Sequence, residues 1–201
     1  MFFRPPPPSI KIVEAYHNYN PPVKVKTTVK RLIKGILDKY LSGLHSIVLT
    51  NSSGLNRKRR RSKTIARKRK IIVRQCLGLY HQTHRREQAY IELFIDNILK
   101  PIRKISDVPL SGLMGCILRM FTNTKFFLDW TFSSTLYHEI GHHIHKTQSP
   151  EHAEREDVAD RWGLTLQRRY LYWKYWYYMP LIWGIRMMDK RLRNIPNKYR
   201  R

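Results

Sequence analysis

The chain has 201 residues, enough for one domain with a core plus extensions, and sets 39 Lys and Arg against 14 Asp and Glu for a formal net charge of +25. That balance favours contact with nucleic acid or an anionic membrane surface and says nothing about fold. The two cysteines, Cys76 and Cys116, are far apart, which excludes a C-x-x-C motif and fits buried free thiols in a reducing compartment.

Met1-Phe2-Phe3-Arg4 runs straight into Pro5 to Pro8, which breaks any apolar helix, so no secretory signal opens the chain. Residues 1–26 read as a Pro-rich N-terminal arm, extended and either disordered or docked on a partner. From Thr27 to Leu44 the apolar positions Val29, Leu32, Ile33, Ile36, Leu37, Tyr40, Leu41 and Leu44 recur at helical spacing beside a lysine-rich face. Ser46 to Thr50 is a short strand ending in the turn Asn51-Ser52-Ser53-Gly54.

A basic insert follows at 57–70, with ten Lys or Arg in fourteen residues (Arg57, Lys58, Arg59, Arg60, Arg61, Lys63, Arg67, Lys68, Arg69 and Lys70) and no acid. Such a run repels itself and is expected to be mobile without a partner. It reads as a solvated loop, a localisation patch or a sequence-independent contact for nucleic-acid phosphates, with acidic protein or lipid as further partners. Ile71 to Tyr80 holds one or two strand-like stretches. Ala89 to Asp96 alternates, Ile91, Leu93 and Ile95 on one face and Tyr90, Glu92, Phe94 and Asp96 on the other, and pairs with Leu77 to Tyr80 as a hairpin. Leu110 to Phe121 is predicted as a helix despite Gly112 and Gly115.

His138-Glu139-Ile140-Gly141-His142 is an H-E-x-x-H pattern, expected on a helix that starts at Asp129 or Thr131 and ends near His145. Residues i and i+4 share a helix face, so His138 and His142 can grip one metal ion. Zn2+ is the usual occupant; it lowers the pKa of its water to about 7, and Glu139 stands where it can take that water's proton. Catalytic zinc wants three protein ligands and an open position. Pro150 suits the opening of a second helix, on which Glu156 and Asp160 share a face. Glu156, in preference to Glu154, would supply the third ligand, and Asp160 would accept the other ring N–H of a ligand histidine. Six of the chain's acids (Glu139, Glu151, Glu154, Glu156, Asp157 and Asp160) fall between 138 and 160, where a dication would need them. His145 is about 10 Å from His138 along the helix at 1.5 Å per residue and reads as a helix-end residue. With Gln148 at the third metzincin position, that class is disfavoured. His143 points off the metal face, and Gly141 implies the close approach of another backbone.

Tyr170 to Met188 is rich in Tyr and Trp and flanked by Arg168, Arg169, Arg186, Lys190, Arg191 and Arg193. It reads as a helix packed on the domain's own core, a segment lying on a membrane surface, or a span, the last disfavoured by Lys174 and Pro180.

The residues from His138 to His142 and from Glu156 to Gly163 resemble the gluzincin metallopeptidases, and within them the compact ImmA/IrrE-like family, whose members carry H-E-x-G-H followed by a helix reading E-x-x-A-N/D-x-F-A. Trp162 stands where that family has an aromatic, and Gly163 replaces a small Ala. The resemblance is specific over about 130–168 and extends to the hairpin pattern of 45–100. It implies an α+β, zincin-like fold with a small mixed sheet, an H-E-x-x-H helix and a following Glu helix. It also implies a strand bordering the substrate cleft, for which Ala89 to Asp96 is the candidate, an ordinary half-buried strand being the equal alternative, and a link to cleavage of DNA-bound regulators.

The expectation is therefore a zincin-like domain at 27–168 between the arm and an aromatic, basic extension at 169–201. Its function would be zinc-dependent peptide hydrolysis in the cytoplasm, with nucleoid or membrane association through the basic and aromatic stretches. Tyr137, Tyr170 and Tyr172 are the candidates for stabilising the oxyanion. The rival is a nucleic-acid-binding or membrane-surface protein whose zinc site is structural or residual, closed by His145 or His152.

Overall fold

The computed structural model describes residues 10–66, 69–83, 88–107, 124–148 and 155–178. The chain is mixed α+β. Among the described residues there are five helices, a four-stranded mixed sheet and a second sheet of two strands. The order of elements is β1 (Lys11–Glu14), α1 (Val25–Ile33), β2 (Leu44–Thr50), α2 (Arg57–Arg61), β3 (Lys63–Ala66), β4 (Arg69–Ile72), β5 (Gly78–His81), β6 (Ala89–Phe94), α3 (Ile95–Asp107), α4 (Lys125–Gln148) and α5 (Glu156–Tyr175).

The sheet runs β1-β2-β6-β5. β1, β2 and β6 are parallel, and β5 returns antiparallel along the edge. The register pairs Ile12 with Ile47, Ile47 with Ile91 and Leu49 with Leu93. Because strand side chains alternate, that register gathers Ile47, Leu49, Ile91 and Leu93 on one face, where α1, α4 and α5 cover them. On the other face Phe94 forms a smaller cluster with Leu55, Val73 and Cys76.

Several expectations shift. Lys11–Glu14 belongs to the sheet, although 1–26 reads as an arm. The helix expected over Thr27 to Leu44 is α1 followed by a 3-10 turn at Asp38–Tyr40. Gly35 packs where a Cβ would stand 2.6 Å from the Tyr170 ring, and Gly43 at φ +83° turns the chain into β2. Ile36, Leu41 and Leu44 are buried all the same, so the apolar spacing holds while the helix does not. The basic insert, expected to be mobile, forms α2 and the β3–β4 ribbon.

Ala89–Phe94 is an interior strand, not the cleft edge; the edge is β5, and its hairpin with β6 is as expected. α4 starts at Lys125, earlier than Asp129 or Thr131, with Thr124 Oγ1 accepting from the Phe127 N–H at 3.2 Å. Pro150, like Leu110 to Phe121, Cys116, Glu151, His152 and Glu154, lies outside the described residues. α5 carries on through Tyr175, so the first residues of the predicted extension are the helix's own last turns, with Tyr170, Leu171 and Tyr175 buried. No helix among the described residues is long and apolar enough to cross a membrane.

α4 is the central element, buried on almost every side from Phe132 to Ile144. α5 lies against it at a crossing built from two glycines. A Cβ on Gly141 would stand 2.5 Å from the Ala159 carbonyl oxygen and 2.9 Å from its Cα; one on Gly163 would stand 3.0 Å from the Cα of His138. Two helix backbones therefore touch at the turn that carries His138 and His142, which is the close approach that Gly141 implies.

Candidate metal centre and cleft

The glycine crossing sets Glu156 and Asp160 of α5 opposite His138 and His142 of α4. The two Nε2 atoms of the histidines are 3.1 Å apart. Glu156 Oε2 is 3.5 Å from His138 Nε2, and Oε1 is 3.9 Å from His142 Nε2. One ligand atom from each of the three residues lies within 4.8 Å of the others.

Two groups bound at about 2.1 Å to one tetrahedral zinc would be about 3.4 Å apart. The three observed separations bracket that value, so the donor set and its spacing fit a single ion. His142 is buried and His138 partly so.

Asp160 Oδ1 is 3.0 Å from His138 Nδ1. The carboxylate can only accept, so Nδ1 carries the proton and Nε2 presents its lone pair toward Glu156. Burial, with the neighbouring His142, lowers the His138 pKa, while Asp160 and Glu156 act in the opposite direction. A neutral ring with an outward lone pair is what metal ligation requires. His145, at the end of α4, is outside this cluster, as its position along the helix implies.

Glu139 is buried beside the cluster and faces β5. A Cβ on Gly78 would stand 2.8 Å from the Glu139 Oε1 and Cγ, and 3.0 Å from Thr135 Cγ2. Only glycine fits there without displacing the carboxylate. Between β5 and the two helices lies a cleft of about 480 Å³ that His138, Glu139, Glu156 and Asp160 share with Gln75, Cys76 and Gly78. Burial, with smaller contributions from Glu139 and Glu156, pushes the Cys76 thiol up to about 11, so it faces the cleft as a neutral group.

The alternation of β5 ties the cleft wall to the sheet. Gly78 and Tyr80 face α4, while Leu79 and His81 face away. The Tyr80 hydroxyl lies 3.2 Å from His143 Nδ1, and His143 Nε2 lies 2.9 Å from the Ser42 carbonyl oxygen. A carbonyl only accepts, so Nε2 donates to it and Nδ1 accepts a hydrogen bond from the Tyr80 hydroxyl. Burial lowers the His143 pKa against the opposing Ser42 bond, which keeps the ring neutral. His143 is thus a structural strut between α4 and the edge strand. On the far face, His81 Nε2 lies 3.2 Å from Glu92 Oε2.

Two of the tyrosines considered for oxyanion stabilisation are spent elsewhere. Tyr137 is fully buried and donates to the Leu32 carbonyl at 3.0 Å, and Tyr170 donates to Asp129 at 2.6 Å. Tyr172 is exposed on α5, sixteen residues beyond Glu156, or about 24 Å along the helix axis.

Of the basic residues, Arg59 turns inward to Glu92, with Nη1 at 3.2 Å and Nη2 at 2.5 Å, and is not available for a phosphate. Lys58 and Arg61 are exposed and Arg60 is half-buried. Arg67 and Lys68 lie outside the described residues. Sequence reading missed Gly78 and Cys76 as cleft residues; the Leu77-Gly78-Leu79 interruption of a strand pattern was the one signal that could have found them. Compared with protein-family models, curated proteins and solved structures, the chain matches none.

Proposed function

We propose that the chain is a zinc-dependent metallopeptidase. The observation that carries the reading is the convergence of His138, His142 and Glu156 on one point, with the Glu139 carboxylate beside it in a cleft walled by an edge strand. Bound there, Zn2+ would supply Lewis acidity toward the scissile carbonyl and make a water acidic enough to deprotonate near neutral pH.

The protein's own groups do the rest. Asp160 holds His138 in the ligating tautomer. Glu139, fixed between Thr135 and Gly78, receives the proton of the attacking water and returns it to the departing amine. β5 offers one free edge among the described strands, along which an extended peptide adds by main-chain hydrogen bonds. Gly78 leaves the space above Glu139 open, so the scissile bond passes over the carboxylate. The substrate in this reading is an extended protein segment.

The test is Glu139→Gln. The amide keeps the shape and removes the base. Zinc content, measured by metal analysis, stays near one per chain, and cleavage of a peptide library or candidate protein substrates falls by about 10²–10⁴-fold. A variant that holds zinc and cleaves like the parent removes Glu139 from this role. A parent that holds zinc and cleaves nothing points instead to a structural site.

A further inference from the structure

No Asp or Glu occurs between Asp38 and Glu87, and fourteen Lys and Arg do. Eight of them sit in α2, β3 and β4. The β3–β4 ribbon is a sheet of its own, with Lys63 opposite Ile72, Ile65 opposite Lys70 and Ala66 opposite Arg69. Its base is closed by the Val73 N–H donating to the Ser62 carbonyl at 3.0 Å. The module is anchored to the sheet through Arg59, whose guanidinium grips the buried Glu92 of β6. Lys58 and Arg61 are exposed and Arg60 is half-buried, and among the described residues no carboxylate pairs with any of the three.

We propose that this module docks on duplex DNA, the β3–β4 ribbon entering the major groove and Lys58, Arg60 and Arg61 holding the adjoining phosphates. A two-stranded ribbon is one of the two protein elements that the B-form major groove, about 12 Å wide, admits. The strands of such a ribbon are about 4.8 Å apart, and four residues extend about 13 Å, so it enters without distorting the duplex. Apart from Arg59, four of the seven cations of α2, β3 and β4 are Arg, whose planar fork suits phosphate and base edges better than a lysine does.

A-form RNA closes this route, because its major groove is too deep and narrow to enter. A membrane surface fits less well, because residues 52–79 contain no Trp, Tyr or Phe to anchor at a lipid interface. The exposed Trp173 lies in the last turn of α5 and the exposed Trp176 in the 3-10 turn just beyond it.

The experiment uses the full chain and fluorescence anisotropy with a mixed-sequence DNA duplex, an RNA duplex of the same sequence and vesicles of phosphatidylserine and phosphatidylcholine. The DNA duplex binds at least tenfold more tightly than the RNA duplex. Reversing Lys58, Arg60 and Arg61 to Glu weakens DNA binding at least tenfold, and the slope of log K against log salt becomes shallower by about 0.9 for each phosphate no longer neutralised. Should that variant fail to fold by circular dichroism, Lys63→Ala, Arg69→Ala and Lys70→Ala together, all on the paired strands, weaken DNA binding in the same way. Equal affinity for RNA, binding to vesicles but not to DNA, or undiminished DNA affinity in the folded variants each overturns the assignment. Zinc content and peptide cleavage without DNA are untouched by these changes, so the outcome is independent of the metallopeptidase reading.

Discussion

Asp160 and Gly78 act on the candidate site without being ligands or the base, and they separate metal binding from catalysis. Asp160 fixes the proton of His138, so Asp160→Ala should weaken zinc affinity by about 10–100-fold, measured by competition with a chelator of known affinity. Gly78 has the opposite signature. In Gly78→Ala the new methyl stands within 3 Å of the Glu139 carboxylate, which must swing aside. A misplacement of about 1 Å in a reacting group costs on the order of 10²-fold. Turnover should therefore fall by about that factor while bound zinc stays at the parent level, read by metal analysis beside a peptidase assay. Loss of zinc in Gly78→Ala would mean that the strand supports the ligands themselves.

At the scale of elements, the α4–α5 crossing decides the geometry, and its sign can be tested. In an isolated helix, Gly→Ala stabilises by about 1 kcal/mol. Here Gly141→Ala drives a methyl to 2.5 Å from the Ala159 carbonyl, and backbone cannot yield as a side-chain tip can. The helices must part, and destabilisation of about 1–3 kcal/mol is expected, with a lower melting temperature and weaker zinc retention because Glu156 and Asp160 move with α5. A raised melting temperature would show that the crossing is slack.

This element was also the most legible in the sequence. His138, His142, Glu156 and Asp160 come from two local helical spacings, which need no tertiary information, and Gly141 inside the motif announces the crossing. The edge strand was not legible, because β5 and β6 are both short and apolar, and only the pairing order distinguishes an interior strand from an edge. The end of α1 was misread for a related reason. Burial of Ile36, Leu41 and Leu44 preserves a helical-looking pattern through a turn set by Gly35 and Gly43.

For the molecule as a whole, Asp129 ties the helices together. It is fully buried in α4 and receives both Nε and a terminal nitrogen of Arg31 from α1, along with the hydroxyls of Tyr170 at 2.6 Å and Tyr175 at 2.7 Å from α5. An aspartate in the first part of a helix reads from sequence as an N-cap, but its charge is compensated by Arg31, 98 positions away, and hydrogen-bonded by Tyr170, 41 positions away, which no local pattern reveals. Burial by itself would raise the carboxyl pKa. The bonds from Arg31, Tyr170 and Tyr175 outweigh it and hold the group below the usual carboxylate range.

The sign of the pH dependence follows. A carboxylate whose folded pKa is depressed contributes stability that is complete above its unfolded pKa, about 3.9, and is lost as pH falls through the folded value. Asp129→Asn keeps the shape but leaves the Arg31 charge uncompensated, so it should cost about 3–5 kcal/mol at pH 7. Thermal melts of parent and variant at pH 7, 4, 3 and 2 should show that gap holding down to about pH 4 and narrowing below it, as the parent alone loses the contribution. Release in acid of zinc held at the proposed site would lower both curves together and cancel in the difference. A gap of constant size from pH 7 to pH 2 would mean that the Asp129 carboxylate contributes through packing and not through its charge.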